Sequence, residues 1–330
     1  MTMRAAYIEE LGPPEIIRYG ELAAPRPGPT DVLVDVEVAT VNHVDTFVRS
    51  GAWRTPIEFP FVIGRDLVGT VATAGPGAPA FRVGDRVWCN SLGHAGRQGA
   101  AAEQAVVPAG RLYHLPPGVS AADAVAVAHP AATAYLGLFT HGRVRAGDTV
   151  LVAGGAGNVG SAMIVMAAHA GARVIATARP HHAEYCRSLG ASDVLDYRDP
   201  ALTRHIRDAR PQGIDVYLDT SGHNDLTTAV DVLAKRGRVV VLAGLQTRPV
   251  LPVGPLYLKD CSIVGFAISQ ATTSELAEAA RTINALLADK QLRPRATDTL
   301  PLSAAAEAHR RQESGELHGR RIVLQVAFRT

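Results

Sequence analysis

The chain has 330 residues, 47% of them apolar, and carries 33 Lys and Arg against 31 Asp and Glu. That length is enough for two domains with cores of their own, and a net charge of +2 with no basic block argues against a nucleic-acid partner. Arg4, Glu9 and Glu10 interrupt any signal core at the N-terminus, and Asp123, His129 and Pro130 interrupt the most apolar region, 120–139, so no membrane span is expected.

Taken in chain order, residues 1–122 read as short strands between turns. Val32–Val38, Leu67–Val71 and Arg86–Trp88 are the strands, and Pro25–Pro29, Gly75–Gly77 and Gly84–Asp85 punctuate them. Such a segment predicts a β-barrel or sandwich. From about Asp123 to Gly265 strand and helix alternate, which predicts a parallel sheet covered by helices. Val150–Ala153 runs into a glycine-rich turn and a helix over Asn158–Ala170, and Arg173–Thr177, Ile214–Asp219 and Gly237–Leu242 follow as strands. The apolar run Cys261–Gly265 reads as an edge strand, and an open edge invites pairing with a second copy, so a homodimer is expected. Thr272–Lys290 predicts an amphipathic helix with Leu276, Ala280, Ile283 and Leu287 on one face, and Thr272 and Glu275 have capping-box spacing. Arg321–Val326 is a closing strand. The three cysteines, Cys89, Cys186 and Cys261, form no C-x-x-C pair, which points to a reducing compartment, the cytoplasm, and away from a zinc ribbon.

The turn after Ala153 carries the strongest chemical signal. Gly155, Gly157 and Gly160 have the G-x-G-x-x-G spacing of a dinucleotide-binding turn, in which Ala156, Asn158 and Val159 complete the backbone cradle. The first glycine is expected to allow the tight turn, the second to admit a pyrophosphate, and the third to let helix and strand approach. The anion would sit at the positive end of the helix. An NAD-binding chain places Asp or Glu after the second strand; here the residue is Arg179, whose guanidinium suits a 2′-phosphate, the other reading being a solvated surface arginine.

The series Val41–Gly51, Gly64–Val71, Gly84–Val87, Thr133–Tyr135, the glycine turn and Leu189–Asp193, in that order, resembles the zinc-free quinone oxidoreductases (zeta-crystallin-like) of the medium-chain dehydrogenase/reductase superfamily. The resemblance spans nearly the whole chain. It implies an α/β protein with a GroES-like β-rich catalytic domain (1–122 and 266–330) and an inserted Rossmann domain with a doubly wound parallel sheet (123–265). It also implies an active site in the cleft, and NADPH-dependent hydride transfer to small-molecule quinones or α,β-unsaturated carbonyls. Two alternatives stay open: an enoyl-thioester reductase of a biosynthetic pathway, and an NADPH-binding structural or sensing protein without turnover.

Zinc-dependent relatives have cysteine where this chain has Asn42, the histidine of Gly-His-Glu at Arg65, and a second cysteine at His129, so no metal is expected. A site built from His43, His94 and His129 would need scattered histidines to converge. By resemblance, Thr133, Asn42 and His43 approach the nicotinamide, and Asp45 is structural. Asn42 as a turn cap and His43 as a partner of local backbone are the plain readings. His129 has two: proton donor for C=C reduction, or a packed histidine at the helix start. Trp53, Arg65 and His94 are expected to line the substrate side, with Trp53 in place of the tyrosine many relatives carry. Tyr197 is expected beside the adenosine phosphate, Ser221 and Gly244 at strand ends that face the cofactor, and Phe266 and Arg320 at its nicotinamide and phosphate ends.

Overall fold

Alternating β-branched residues make the longest strand, Asp31–Thr40: Val32, Val34, Val36 and Val38 point into the core while Asp31, Asp35 and Glu37 do not. The computed structural model describes residues 1–326. It divides into two units, Met1–His129 with Leu276–Thr330, and Pro130–Glu275.

In the first unit, Asp31–Thr40 is the hub of a seven-stranded sheet. It pairs antiparallel with Leu67–Ala74, Gln104–Pro108 and the closing strand Arg321–Gln325, so residues 323–325 are hydrogen-bonded to residues 38–40. A smaller sheet joins Arg18–Ala23, Thr2–Ile8 and Phe61–Val62. Their shared core is aliphatic, with Ile8, Val32, Val34, Leu67 and Ile322 fully buried. The helix Thr273–Ala288 starts on the expected capping box. Thr272 N donates to Glu275 Oε2 (2.8 Å) and Glu275 N to Thr272 Oγ1 (3.2 Å), and Leu276, Ala280, Ile283 and Leu287 are buried along one face.

The second unit is a six-stranded, wholly parallel sheet. In chain order its strands are Thr149–Ala153, Arg173–Ala178, Asp193–Asp196, Ile214–Asp219, Leu233–Val241 and Ser262–Gly265, and across the sheet they run 3-2-1-4-5-6. The first strand is central and Val150, Leu151 and Val152 are fully buried, as a strand covered on both faces requires. Among the described residues the strand Ser262–Gly265 pairs only with Leu233–Val241 and forms the sheet's edge.

The boundary between the units falls inside the helix Ala121–Tyr135. Its first half is tied to the β-rich unit: Asn90 Nδ2 donates to Ala128 O (3.2 Å) and Arg321 Nε to Ala126 O (2.9 Å). The helix contains Pro130, and one wide π turn, Leu136–His141, continues it. Among the described residues no helix is long and apolar enough to cross a membrane.

His309, on the helix Ala305–Glu313, is fully buried, and neither ring nitrogen has a hydrogen-bond partner among the described residues. Burial, then the nearby Arg49 charge, holds its pKa down at about 3. The unfolded chain binds this proton near pH 6.5 and the folded chain refuses it, so stability is full above pH 6.5 and falls as pH drops toward 3, by about 1.4 kcal/mol per unit. His94, held at about 4, adds a like slope, while Asp45, pushed up to about 6, opposes it between about 6 and 3.8. His43 and His141, also held down by burial, share the sign of His309 and His94, so the balance is a net acid loss. Denaturant titrations at pH 7 and 5 should show it, and His309→Leu should make the loss smaller by about 1.4 kcal/mol per pH unit; an unchanged slope would disprove the assignment.

Candidate active site

Asn42 caps the helix His43–Ser50: its backbone N–H donates to Asp45 Oδ2 (2.7 Å) and its carbonyl accepts from Asp45 N (3.0 Å). That turn fixes the Asn42 side chain, which is 4% exposed, at the centre of a buried polar cluster. Asn42 Nδ2 donates to Asp66 Oδ2 (3.1 Å), and Arg321 Nη2 donates to Asn42 Oδ1 (2.7 Å) and Thr40 Oγ1 (3.2 Å). His129 Nδ1 lies 3.6 Å from Asp66 Oδ1, and Arg65 Nε lies 3.8 Å from Asp45 Oδ1. Asn42, Arg65 and His129 are thus gathered around Asp45 and Asp66.

The charges in this cluster decide its chemistry. Burial raises the Asp45 carboxyl to about 6, Arg65 pulls it down and Asp66 pushes it up. Burial lowers both Arg65 and Arg321, and the two carboxylates oppose that. Two guanidiniums therefore neutralise two acids. A divalent cation entering here would meet Arg65's fixed charge and an amide where zinc needs a thiolate, so these residues do not fit a zinc ion. Among the described residues no group of three His, Cys, Asp or Glu has metal-holding geometry.

Arg321 is not a residue the sequence singles out; its neighbour Arg320 is. Arg320 is exposed and donates through Nε to Asp298 Oδ1 (2.8 Å), outside the cluster. Arg321 is 4% exposed. Its place is made by Pro130, which has no N–H to give to the carbonyl four residues back, Ala126 O; the Arg321 Nε–H takes that carbonyl instead. The only hint in the sequence is a proline inside a helical run and an arginine opening an apolar strand.

The glycine turn departs from expectation at its first glycine. The left-handed turn residue is Gly154 (φ +82°), one position before the motif. Gly155 instead serves packing, since a Cβ there would lie 2.8 Å from Ala176 Cβ, and a Cβ on Gly160 would lie 2.3 Å from Gly154 O. Gly157, with Ala156 before it, is the N-cap of the helix Asn158–His169 and has no capping side chain. The first N–H groups, on Asn158, Val159 and Gly160, are left for an outside acceptor.

Arg179 and Tyr197 follow two paired strands whose last register is Ala178 with Asp196, so the pairing sets them side by side. Arg179 Nε donates to the Tyr197 hydroxyl (3.0 Å), and both are exposed. Ser221 closes its own loop by donating to Asp219 Oδ1 (2.7 Å). Gly244 (φ +88°) lies against that loop, with Asn224 Nδ2 donating to Ala243 O (3.0 Å) and Thr247 Oγ1 (2.8 Å). Phe266 stacks on His141 at 4.5 Å. Thr133 is buried on its helix, His43 is the exposed first residue of the helix Asn42 caps, and Trp53 is half-buried beyond that helix's far end.

A parallel sheet in this strand order, with an uncapped glycine turn at its switch point, defines a dinucleotide-binding fold; with the GroES-like unit it defines a nicotinamide-dependent oxidoreductase. The family model for the alcohol dehydrogenase GroES-like domain matches residues 28–117, and that for zinc-binding dehydrogenases matches 158–285. The chain is 30% identical over 314 residues to the quinone oxidoreductase of Mus musculus, covering 93% of each. Among solved structures it is similar to an NAD-dependent alcohol dehydrogenase (TM-score 0.88, 31% identity, 98% of this chain and 100% of that one). It is also similar to a mycobacterial protein complexed with NADPH (TM-score 0.82, 30% identity, 98% and 99%). The chain belongs to the quinone oxidoreductase family of medium-chain dehydrogenases/reductases and is an oxidoreductase.

Proposed function

We propose that this chain is an NADPH-dependent, zinc-free reductase of quinones or α,β-unsaturated carbonyls that works in the cytoplasm as a homodimer. The observation that carries the reading is Arg65, a fixed cation 2% exposed beside Asp45 at the position where zinc-dependent relatives have a ligand. Without a metal to acidify an alcohol, oxidation of alcohols is disfavoured. A conjugated carbonyl needs less help, because its own oxygen takes the charge. The quinone oxidoreductase relative supports the substrate class.

The cofactor preference rests on Arg179. Solved relatives include an NAD-dependent alcohol dehydrogenase and a protein complexed with NADPH, so the family alone leaves the choice open. The uncapped amides of Asn158, Val159 and Gly160 suit the pyrophosphate, and Arg179 with Tyr197 suits a 2′-phosphate. When bound, NADPH supplies the hydride. Asn42, held by Asp66 and Arg321, would orient the carboxamide end, and His129, turned toward Asp66, would deliver the proton that completes a C–H bond. The open edge strand Ser262–Gly265 supports the dimer, and a mass of 34.8 kDa by light scattering would remove it.

The test follows NADPH absorbance with a panel of quinones and enones, with and without chelator. Consumption that the chelator does not slow is expected. His129→Asn should lower kcat for enones by about 10² and for quinones, which can take the second proton from water, by less. No turnover with any member, or full inhibition by chelator, would refute the proposal.

A further inference from the structure

A buried guanidinium with nothing to donate to is expensive, because each of its five N–H groups has left water. Arg65 is in that condition at two of its three nitrogens, among the described residues. Its Nε and Nη2 are buried without an acceptor among the described residues, and the closest carboxylate oxygen, Asp45 Oδ1, is 3.8 Å from Nε. The loop 90–99 lies against it: Leu92 N donates to Arg65 O (3.1 Å) and Ala100 N to Gly64 O (3.1 Å). That loop carries His94, 9% exposed, whose Nδ1 is also buried without a partner. It carries Arg97 too, held by Nε and Nη2 donating to Ser91 O (3.2 and 3.1 Å).

The charge here has one sign in excess. Arg65, Arg97 and Arg111 act on His94, and Arg321 faces the same two carboxylates as Arg65. Arg65 and Arg321 thus face Asp45 and Asp66, while Arg97 and Arg111 add positive charge around His94. Burial, with those three arginines, holds His94 down at about 4, so at neutral pH its ring is a neutral hydrogen-bonding group.

We propose that Arg65 and His94 form an oxyanion site that binds the carbonyl oxygen of the substrate and holds the negative charge that develops there. The inference rests on the reductase reading above and adds what recognises the substrate. In the step it serves, the hydride's electron pair makes the new C–H bond at the β-carbon. The C=C pair shifts toward the carbonyl carbon, and the C=O pair ends on oxygen as an enolate, or as a phenolate when the substrate is a quinone. The reduced nicotinamide is the reductant. Arg65 keeps all its protons and donates hydrogen bonds to the oxygen, work that a metal does elsewhere. The substrate is therefore one whose reduction passes through a full oxygen anion, so isolated alkenes are excluded.

The test needs no turnover. 4-Nitrophenol absorbs differently as phenol and phenolate, so its titration on the protein reports the potential at its oxygen. Bound to the wild-type chain it should become an acid at least about tenfold stronger than in water. Arg65→Met should abolish that change and Arg65→Lys keep part of it, with near-UV circular dichroism checking the fold. Should Arg65→Met not fold, Arg65→Lys and His94→Ala decide, each expected to weaken the effect. A probe that does not bind, binds unshifted, or is shifted equally in the variants would overturn the proposal. NADPH consumption with quinones scores the underlying reading separately. Turnover with an unshifted probe sinks only the role of Arg65 and His94; a shifted probe without turnover sinks only the reductase.

Discussion

Arg321→Met should destabilise the chain by about 3–5 kcal/mol, the cost of breaking a buried, hydrogen-bonded charge network by removing one partner. The methionine fills much of the space, so the loss would come from polar groups rather than a cavity. Ala126 O, which Pro130 already deprives of its helical donor, loses Arg321 Nε, and Asn42 Oδ1 loses Nη2. Asp45 and Asp66 lose one of the two cations that oppose their burial. Against a typical domain stability of about 5–15 kcal/mol, this is enough to populate unfolded chains. The measurement is a urea titration of wild type, Arg321→Met and Arg320→Met. The adjacent arginine is the control: it is exposed and paired only at the surface with Asp298, so its loss should leave the midpoint where it was. Adding Pro130→Ala to Arg321→Met should recover about 1 kcal/mol, because the helix regains an N–H for Ala126 O. Equal midpoints for the two arginine variants would show that Arg321 is not the tie described.

Arg179→Ala should remove most of the preference for NADPH over NADH, weakening NADPH about tenfold and leaving NADH nearly unchanged. That factor is the worth of one charge-assisted hydrogen bond at an exposed site, where water and salt hold it low. Geometry supports a paired reader: Arg179 and Tyr197 are already hydrogen-bonded through Nε and the phenol oxygen, leaving the other guanidinium N–H groups to face a ligand. Tyr197→Phe should reproduce the direction with a smaller factor. Dissociation constants for both cofactors at two salt concentrations check this. The NADPH preference should shrink as salt rises, and a variant that loses both cofactors alike would mean that Arg179 serves the turn and not the phosphate.

How much of this was legible beforehand follows from the range of the interactions. Local periodicity marked Ile214–Asp219 residue for residue, and the capping spacing of Thr272 and Glu275 marked the start of the helix Thr273–Ala288, because both are settled by neighbours in sequence. The pairing of Arg179 with Tyr197 was also within reach, since parallel register brings the ends of adjacent strands together. The glycine turn was found as a unit, yet its left-handed residue proved to be Gly154, and Gly155 proved to answer to Ala176 across the sheet.

The sequence by itself determined the class: two domains, a parallel sheet with a dinucleotide turn, no acid after the second strand, and Asn42, Arg65 and His129 at the positions where related enzymes hold zinc. The sheet, the turn and the missing acid are written in residue type and spacing; the zinc positions come from the resemblance to known relatives. Only the tertiary structure decided that Arg321 and not Arg320 enters the cluster, and that Arg65 Nε and Nη2 are buried with no acceptor among the described residues. Arg321 opens the strand Arg321–Gln325, whose first four residues are all buried, while Arg320 precedes that strand and stays exposed. The carbonyl that Arg321 satisfies lies 195 residues away and is exposed to it by a proline in another element. Such a contact has no local pattern, because it exists only once the chain's last strand has closed against its third.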